Sequence, residues 1–280
     1  MSDPFRLDGQ VAVMVGTSPN IGAGIALRLA AAGAAVACVD LDPVAARAVA
    51  DEITACGGHS AAFACDVTDE SRVRRALDAV TAELGLPRHL VNGPVRYLEK
   101  GIRAMTLPEW RSQLAVLLDG PFLFTKHVAE RLIAAGAAGS VLNLISTAGH
   151  QGEPGNIGYA TAKAALLNFT RSAAVELAPY GIRVNSLTPT STDLAEGLER
   201  SQRWGMSTIL PQHVEAIGLA ARQVPLGWLP APSDYGNAAV FLASPAARAV
   251  TGVDLPVDSG SLAKYWRVKP EPSPTSNGRP

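Results

Sequence analysis

Cysteine is scarce in this chain: Cys38, Cys56 and Cys65 are the only three in 280 residues, and no two are spaced CxxC. So sparse and odd a set in a long chain excludes a disulfide framework; the three are read as reduced thiols, two of them inside apolar strands. Histidine is equally thin. His59, His89, His127, His150 and His213 form no HxH or HxxxH pair, so a metal centre has no support, and all five are expected on the surface or in loops. No run of 18 uncharged apolar residues occurs, and the opening MSDPFRLDGQVAVMVG lacks a basic stretch followed by a long apolar one. A soluble, cytoplasmic protein with no membrane partner is expected. Neither sign of charge is in excess, with Lys+Arg 24 against Asp+Glu 25 and a net charge of −1, whereas nucleic-acid binders are usually basic.

What is present is a chain built to fold. Hydrophobic residues make up 48% and charged residues 18%, which excludes global disorder, and a chain of this length buries roughly three quarters of its unfolded surface as one unit. Short Val-rich runs alternate with longer helical patterns: QVAVMVG, a helix from about Asn20 to Ala32, AAVACVD, a helix from about Pro43 to Ala55, SAAFACDV, a helix near 69–84, and RHLVN. A long helical stretch from about Pro108 to Ala135, SVLNLI, a helix carrying YATAK, IRVNSL, SDYGNAAVFLA and TGVDLPVD complete the series. This alternation predicts an α/β fold, a doubly wound, Rossmann-like parallel sheet in three layers and one domain over 1–262. The irregular stretch 188–232 reads as a cap over a site. The Pro-rich tail 263–280 is too polar to pack.

Two segments point to a dinucleotide. GTSPNIGAG (16–24) follows the first strand and opens a helix, where glycines admit a phosphate to the backbone and the helix N-terminus favours negative charge. Asp40 ends the second strand 24 residues after Gly16; a carboxylate there accepts hydrogen bonds from ribose hydroxyls and repels a 2′-phosphate. Arg28, mid-helix, is the only basic residue between them, so NAD is favoured over NADP. Asp66, ending the third strand, is placed to reach an adenine amino group.

Ser146 follows the strand VLNLI directly, and Tyr159 and Lys163 lie one helical turn apart in YATAK. Glycine loop, strand-end aspartate, serine and the Tyr/Lys pair, in this order, closely resemble the short-chain dehydrogenase/reductase family in its classical subgroup. The resemblance covers about 7–262 and includes CDVTD, LVN, GIRVNSLTP and VTGVDLPVDSG. It implies an oxidoreductase interconverting a secondary alcohol and a ketone by hydride transfer. Tyr159 is then the acid/base, Lys163 lowers the phenol pKa and holds the nicotinamide ribose, and Ser146 hydrogen-bonds the substrate oxygen. Gly16, Asn20, Ile21, Gly22, Asp40, Leu41, Asp66, Val67, Asn92, Pro189 and Thr192, with Tyr159 and Lys163, are implied to contact the cofactor. A homo-oligomer, tetramer or dimer, is implied through the long helices that carry Leu117 and Tyr159.

Four departures stand out. Leu117 occupies the position of an asparagine that relays protons in the family, with Gln113 one turn earlier as its candidate replacement. Asn20 replaces the loop's middle glycine, being the residue that best tolerates positive φ after glycine. NGPV (92–95) replaces Asn-Asn-Ala-Gly, and Pro189-Thr190 replaces Pro-Gly. The alternative reading is therefore a cofactor-binding relative with weak or no turnover; elimination chemistry through Tyr159 is a third. For the substrate, Trp204, Met206, Ile209, Leu210 and Trp228 suggest an apolar or mixed pocket. Arg96, Lys100 and Arg103 either meet an acidic substrate or form a solvated face.

Overall fold

The chain forms a seven-stranded, wholly parallel sheet in the order β3-β2-β1-β4-β5-β6-β7. A computed structural model describes residues 3–206 and 218–264. Its strands are β1 (Val11–Val15), β2 (Ala35–Asp40), β3 (Ser60–Ala64), β4 (Pro87–Asn92), β5 (Gly139–Leu144), β6 (Ile182–Pro189) and β7 (Asp254–Val257). The helices used below are α1 (Ile21–Ala31), α2 (Pro43–Ala55), α3 (Glu70–Glu83), α4 (Leu107–Leu114), α5 (Gly120–Ala134), α6 (Ile157–Leu177), α7 (Ala195–Arg203) and α8 (Pro232–Ala243).

Successive strand residues point to opposite faces, so β1 divides itself between two cores. Val11, Val13 and Val15 join α3, α5 and α6 through Leu77, Phe124 and Ala174. Ala12 and Met14 join α1, α2 and α8 through Ile25, Val49 and Tyr235. The result is the three-layer sandwich the alternation predicts. Strand order reverses between β1 and β4, and the crevice beyond the carboxyl ends of these strands is where such sheets bind ligands.

Local sequence sets the helix starts. Asp42 accepts from the Val44 amide and Asp69 from those of Ser71 and Arg72, while Thr106 and Glu109 form a reciprocal capping box. One close approach is built from small residues: a Cβ on Gly24 would stand 2.5 Å from the Pro232 carbonyl oxygen, which lets α1 lie directly on α8.

Two expectations need correction. The stretch from Pro108 to Ala135 is not one α-helix, because a π turn over Ala115–Asp119 separates α4 from α5. Pro121 has no N–H to donate to Leu117, four residues back, and the Gly120 amide instead reaches Ala115, five back. Nor are the histidines all peripheral. His89 is buried in β4, its ring nitrogens 2.8 Å from Ser140 Oγ and 2.8 Å from Gln10 Oε1, and burial pushes its pKa down to about 3. His127 is buried between Glu70 and Glu130. Both found polar partners that a linear reading cannot place. His213, Ile209, Leu210 and residues 265–280, most of the expected tail, lie outside the described residues.

Candidate active site

Beyond the carboxyl ends of β1, β4, β5 and β6 lies a cavity of about 530 Å³. It gathers Gly16, Asn20, Ile21, Gly22, Ser146, Tyr159, Lys163, Pro189 and Thr192. Its floor near β1 is a cradle that tolerates no side chain. Gly16 has φ +87°, and a Cβ there would overlap the Gly93 carbonyl; a Cβ on Gly22 would overlap the carbonyl of Gly16. The α1 N-terminus opens onto this cradle, its first amides lacking intrahelical partners.

Asn20 does not need the tolerance expected of it. Its φ is −94°, so the left-handed turn belongs to Gly16. Asn20 instead packs 3.4 Å from where a Gly197 Cβ would stand on α7, and its buried Oδ1 has no donor among the described residues. Arg200 of α7 donates to the Pro19 carbonyl at 3.3 Å, fastening that helix to the loop.

The remaining cofactor candidates do not line this cavity. Asp40 accepts from the Thr17 amide at 2.7 Å and the Asp42 amide at 3.1 Å, pinning the glycine loop to the end of β2. Leu41 beside it is 69% exposed. Asp66 accepts from both the amide and the hydroxyl of Thr68, and these bonds hold its carboxyl below the usual range. Val67 is buried against Gly120. Asn92 is buried beneath the crevice, donating to Asn143 at 2.9 Å and Thr125 at 3.1 Å, while Asn143 donates to Thr170 of α6. This network ties β4, β5, α5 and α6 together under the site.

Ser146 lies two residues beyond the end of β5 in extended backbone, with φ −174° and ψ 155°. Tyr159 and Lys163 occupy successive turns at the start of α6, both facing inward. Lys163 Nζ donates to the Leu144 carbonyl at 2.6 Å and stands 5.6 Å from the Tyr159 ring centre. Complete burial lowers its pKa to about 8. The expected depression of the phenol pKa is not what the chain alone produces. Burial pushes Tyr159 well above its ordinary 10, neighbouring Tyr97 adds to the rise, and Ser146 opposes it. A lysine that is itself desolvated and committed to a carbonyl does not outweigh that burial.

The sequence missed Tyr97 as an individual residue. Its ring centre lies 4.8 Å from that of Tyr159, and the two hydroxyl oxygens are 3.4 Å apart. Gln151, Glu153, Asn156, Thr190 and Ser191 also line the cavity. All follow β4, β5 or β6, and that position at a carboxyl strand end was the signal available. Gln113 does not line the cavity: its amide donates to the Arg96 carbonyl at 3.0 Å and its oxygen lies against Gly158. Leu117 is wholly buried with Tyr159 and Ala162. Trp204 donates to Glu52, Trp228 is 53% exposed, and neither lines the cavity.

A doubly wound sheet with a glycine cradle at its switch point and Ser, Tyr and Lys at its carboxyl edge defines an oxidoreductase of the nicotinamide-dinucleotide class. Residues 16–261 match the family described as enoyl-(acyl carrier protein) reductase. The chain is 35% identical over 263 residues to D-threitol dehydrogenase of Mycolicibacterium smegmatis, covering 93% of this chain and 95% of that one. A short-chain type dehydrogenase/reductase from Mycobacterium marinum superposes with a TM-score of 0.83 at 32% identity, over 94% of this chain and 100% of the other. A gluconate 5-dehydrogenase from Burkholderia cenocepacia, in complex with NADP and tartrate, superposes with a TM-score of 0.82 at 29% identity, over 94% and 99%. The chain belongs to the short-chain dehydrogenase/reductase family. No helix among the described residues is long and apolar enough to cross a membrane.

Proposed function

We propose that this oxidoreductase interconverts a secondary alcohol and a ketone with NAD(H), Tyr159 serving as acid/base. The observation that carries the reading is the convergence of Tyr159, Ser146 and Lys163 on the cavity whose other end is the Gly16–Gly22 cradle. That cradle fits a dinucleotide, because only hydrogen occupies the positions a Cβ would fill and the α1 N-terminus presents backbone amide donors to it. Gly16, Asn20, Ile21 and Gly22 would hold the phosphates, Asp40 the adenine ribose, Lys163 the nicotinamide ribose, and Pro189 to Thr192 the carboxamide. Leu41, Asp66 and Val67 would border the adenine, with Asn92 supporting the sheet beneath.

Bound nicotinamide supplies the hydride acceptor or donor. Ser146 hydrogen-bonds the substrate oxygen, and Tyr159 takes the hydroxyl proton during oxidation or returns it during reduction. With its pKa raised, the phenol is protonated at neutral pH, the form that donates to a carbonyl oxygen. Lys163 is charged at neutral pH and adds positive potential behind the phenol.

NAD rather than NADP rests on Asp40, whose carboxylate opposes a 2′-phosphate, and on Ser18 and exposed Leu41, which offer that phosphate no cation. The B. cenocepacia enzyme carries NADP, so this point separates the chain from that relative. Exposed Phe122, Ile133 and Val175 on α5 and α6 support a homo-oligomer through these helices. We also read the protein as cytoplasmic. The test is absorbance at the NADH band with an alcohol panel. Wild type forms NADH, and Tyr159→Phe falls by at least about a hundredfold in kcat while still binding NADH. Tight NADH binding with no turnover in wild type would instead favour a non-catalytic cofactor binder.

A further inference from the structure

The wall of the cavity facing Tyr159 is rich in acceptors and poor in cations. Glu153 and Asn156 line it, three residues apart, at the entry to α6. Asn156 Nδ2 donates to Glu153 Oε2 at 3.0 Å, which fixes the amide's orientation. Its Oδ1 is then left buried without a donor among the described residues, on a side chain whose residue is only 7% exposed. A buried amide oxygen without a partner costs free energy that an incoming O–H recovers.

Among the described residues, no cation is paired with the Glu153 carboxylate within the cavity. Among the described residues that line it, Lys163 is the only cation, and its ammonium is held by the Leu144 carbonyl. The basic residues of the 96–105 segment are elsewhere: Lys100 pairs with Glu109, and neither Arg96 nor Arg103 lines the cavity. Of the apolar residues expected from the cap, Trp204, Met206 and Trp228 lie outside this wall. Thr190, Ser191 and Tyr97 add hydroxyl groups to the rim.

We infer that the substrate is a neutral alcohol bearing a second hydroxyl, a diol or polyol, whose additional O–H is bound by Asn156 Oδ1 and Glu153, and that Glu153 excludes carboxylates and phosphate esters. A hydroxyl brings the donor that Asn156 Oδ1 lacks, and the Glu153 carboxylate has room to accept another. An anion brings a second negative charge beside the Glu153 carboxylate, with Lys163 the one cation among the described residues lining the cavity. The inference deepens the dehydrogenase reading and rests on it.

The experiment compares kcat/KM with NAD for two probes of similar length, D-threitol and the anion D-erythronate, in wild type and in Glu153→Gln. Removing the carboxylate also relieves one of the interactions that raise the Tyr159 pKa, but this acts on both probes alike and cancels in their ratio. Wild type is expected to favour the neutral probe by at least tenfold, and Glu153→Gln to shrink that preference roughly tenfold, mainly through a lower KM for the anion. Asn156→Ala is expected to raise KM for threitol with little change in kcat. Preference for erythronate in wild type, or a ratio untouched by Glu153→Gln, overturns the inference and leaves the dehydrogenase reading standing. Oxidation of mono-alcohols such as cyclohexanol in strong preference to threitol overturns it equally. NADH binding without hydride transfer to any of these probes overturns the dehydrogenase reading and the inference with it.

Discussion

Replacing His89 by Gln is expected to make the protein less sensitive to acid. His89 sits in β4 with both ring nitrogens bonded, to Ser140 and to Gln10, and burial, helped by Arg183 and Arg88, lowers its pKa from 6.5 to about 3. Unfolded, the imidazole takes a proton near pH 6.5; folded, it stays neutral until far lower pH. A depressed folded-state pKa gives stability that is present above pH 6.5 and lost as pH falls toward 3. Between pH 7 and pH 5 the loss from this group is about 2 kcal/mol, close to thirtyfold in the folding equilibrium. Glutamine keeps a donor and an acceptor but cannot titrate. Urea unfolding of both proteins at pH 7, 6 and 5, at equal concentration, isolates the effect as the pH dependence of their difference. The difference should move in the variant's favour by about 2 kcal/mol over that range. A difference constant within about 0.5 kcal/mol would refute the assignment of a buried neutral histidine.

Tyr97→Phe keeps the ring stacked on Tyr159 but removes the second phenol 3.4 Å from its oxygen, whose own negative charge when ionised opposes a phenolate at Tyr159. Because Tyr97 contributes to the raised pKa of Tyr159, the variant should ionise Tyr159 at lower pH, read as tyrosinate absorbance that disappears in the Tyr97→Phe/Tyr159→Phe pair. The pH profile for alcohol oxidation should shift the same way, since the deprotonated phenol is the base. Gly22→Ala forces a methyl against the Gly16 carbonyl, and a backbone atom cannot move aside as a side chain does. The expected cost is about 3 kcal/mol of stability and at least about a hundredfold in NADH affinity, the second by fluorescence titration. Retained affinity would show that the loop relaxes.

Elements with a strong period were readable in advance. Val11, Val13 and Val15 alternate with Ala12 and Met14, and the two-faced sheet follows from that pattern. Asp42 and Asp69 announced their helices by position alone. The π turn was less visible, because its cause is a missing donor at Pro121 and a helical pattern in side chains does not register one backbone hydrogen bond. At the site, Gly16, Ser146, Tyr159 and Lys163 converge because each stands at a carboxyl strand end or on the first turns of α6. Asp40 bonding back to Thr17, Gln113 turning toward Arg96, and Tyr97 covering Tyr159 all depend on loop paths that no local periodicity encodes. The same holds for Asn156, whose unpaired oxygen exists only because Glu153 claims its other end.

The central claim is that the Gly16–Gly22 cradle and Asp40 make this an NAD-dependent member of its family. Fluorescence titration of the full chain with NADH and NADPH tests it most directly. The account predicts that NADH binds with enhanced nicotinamide emission and at least about tenfold tighter than NADPH. Equal or tighter binding of NADPH, or binding of neither, would contradict it.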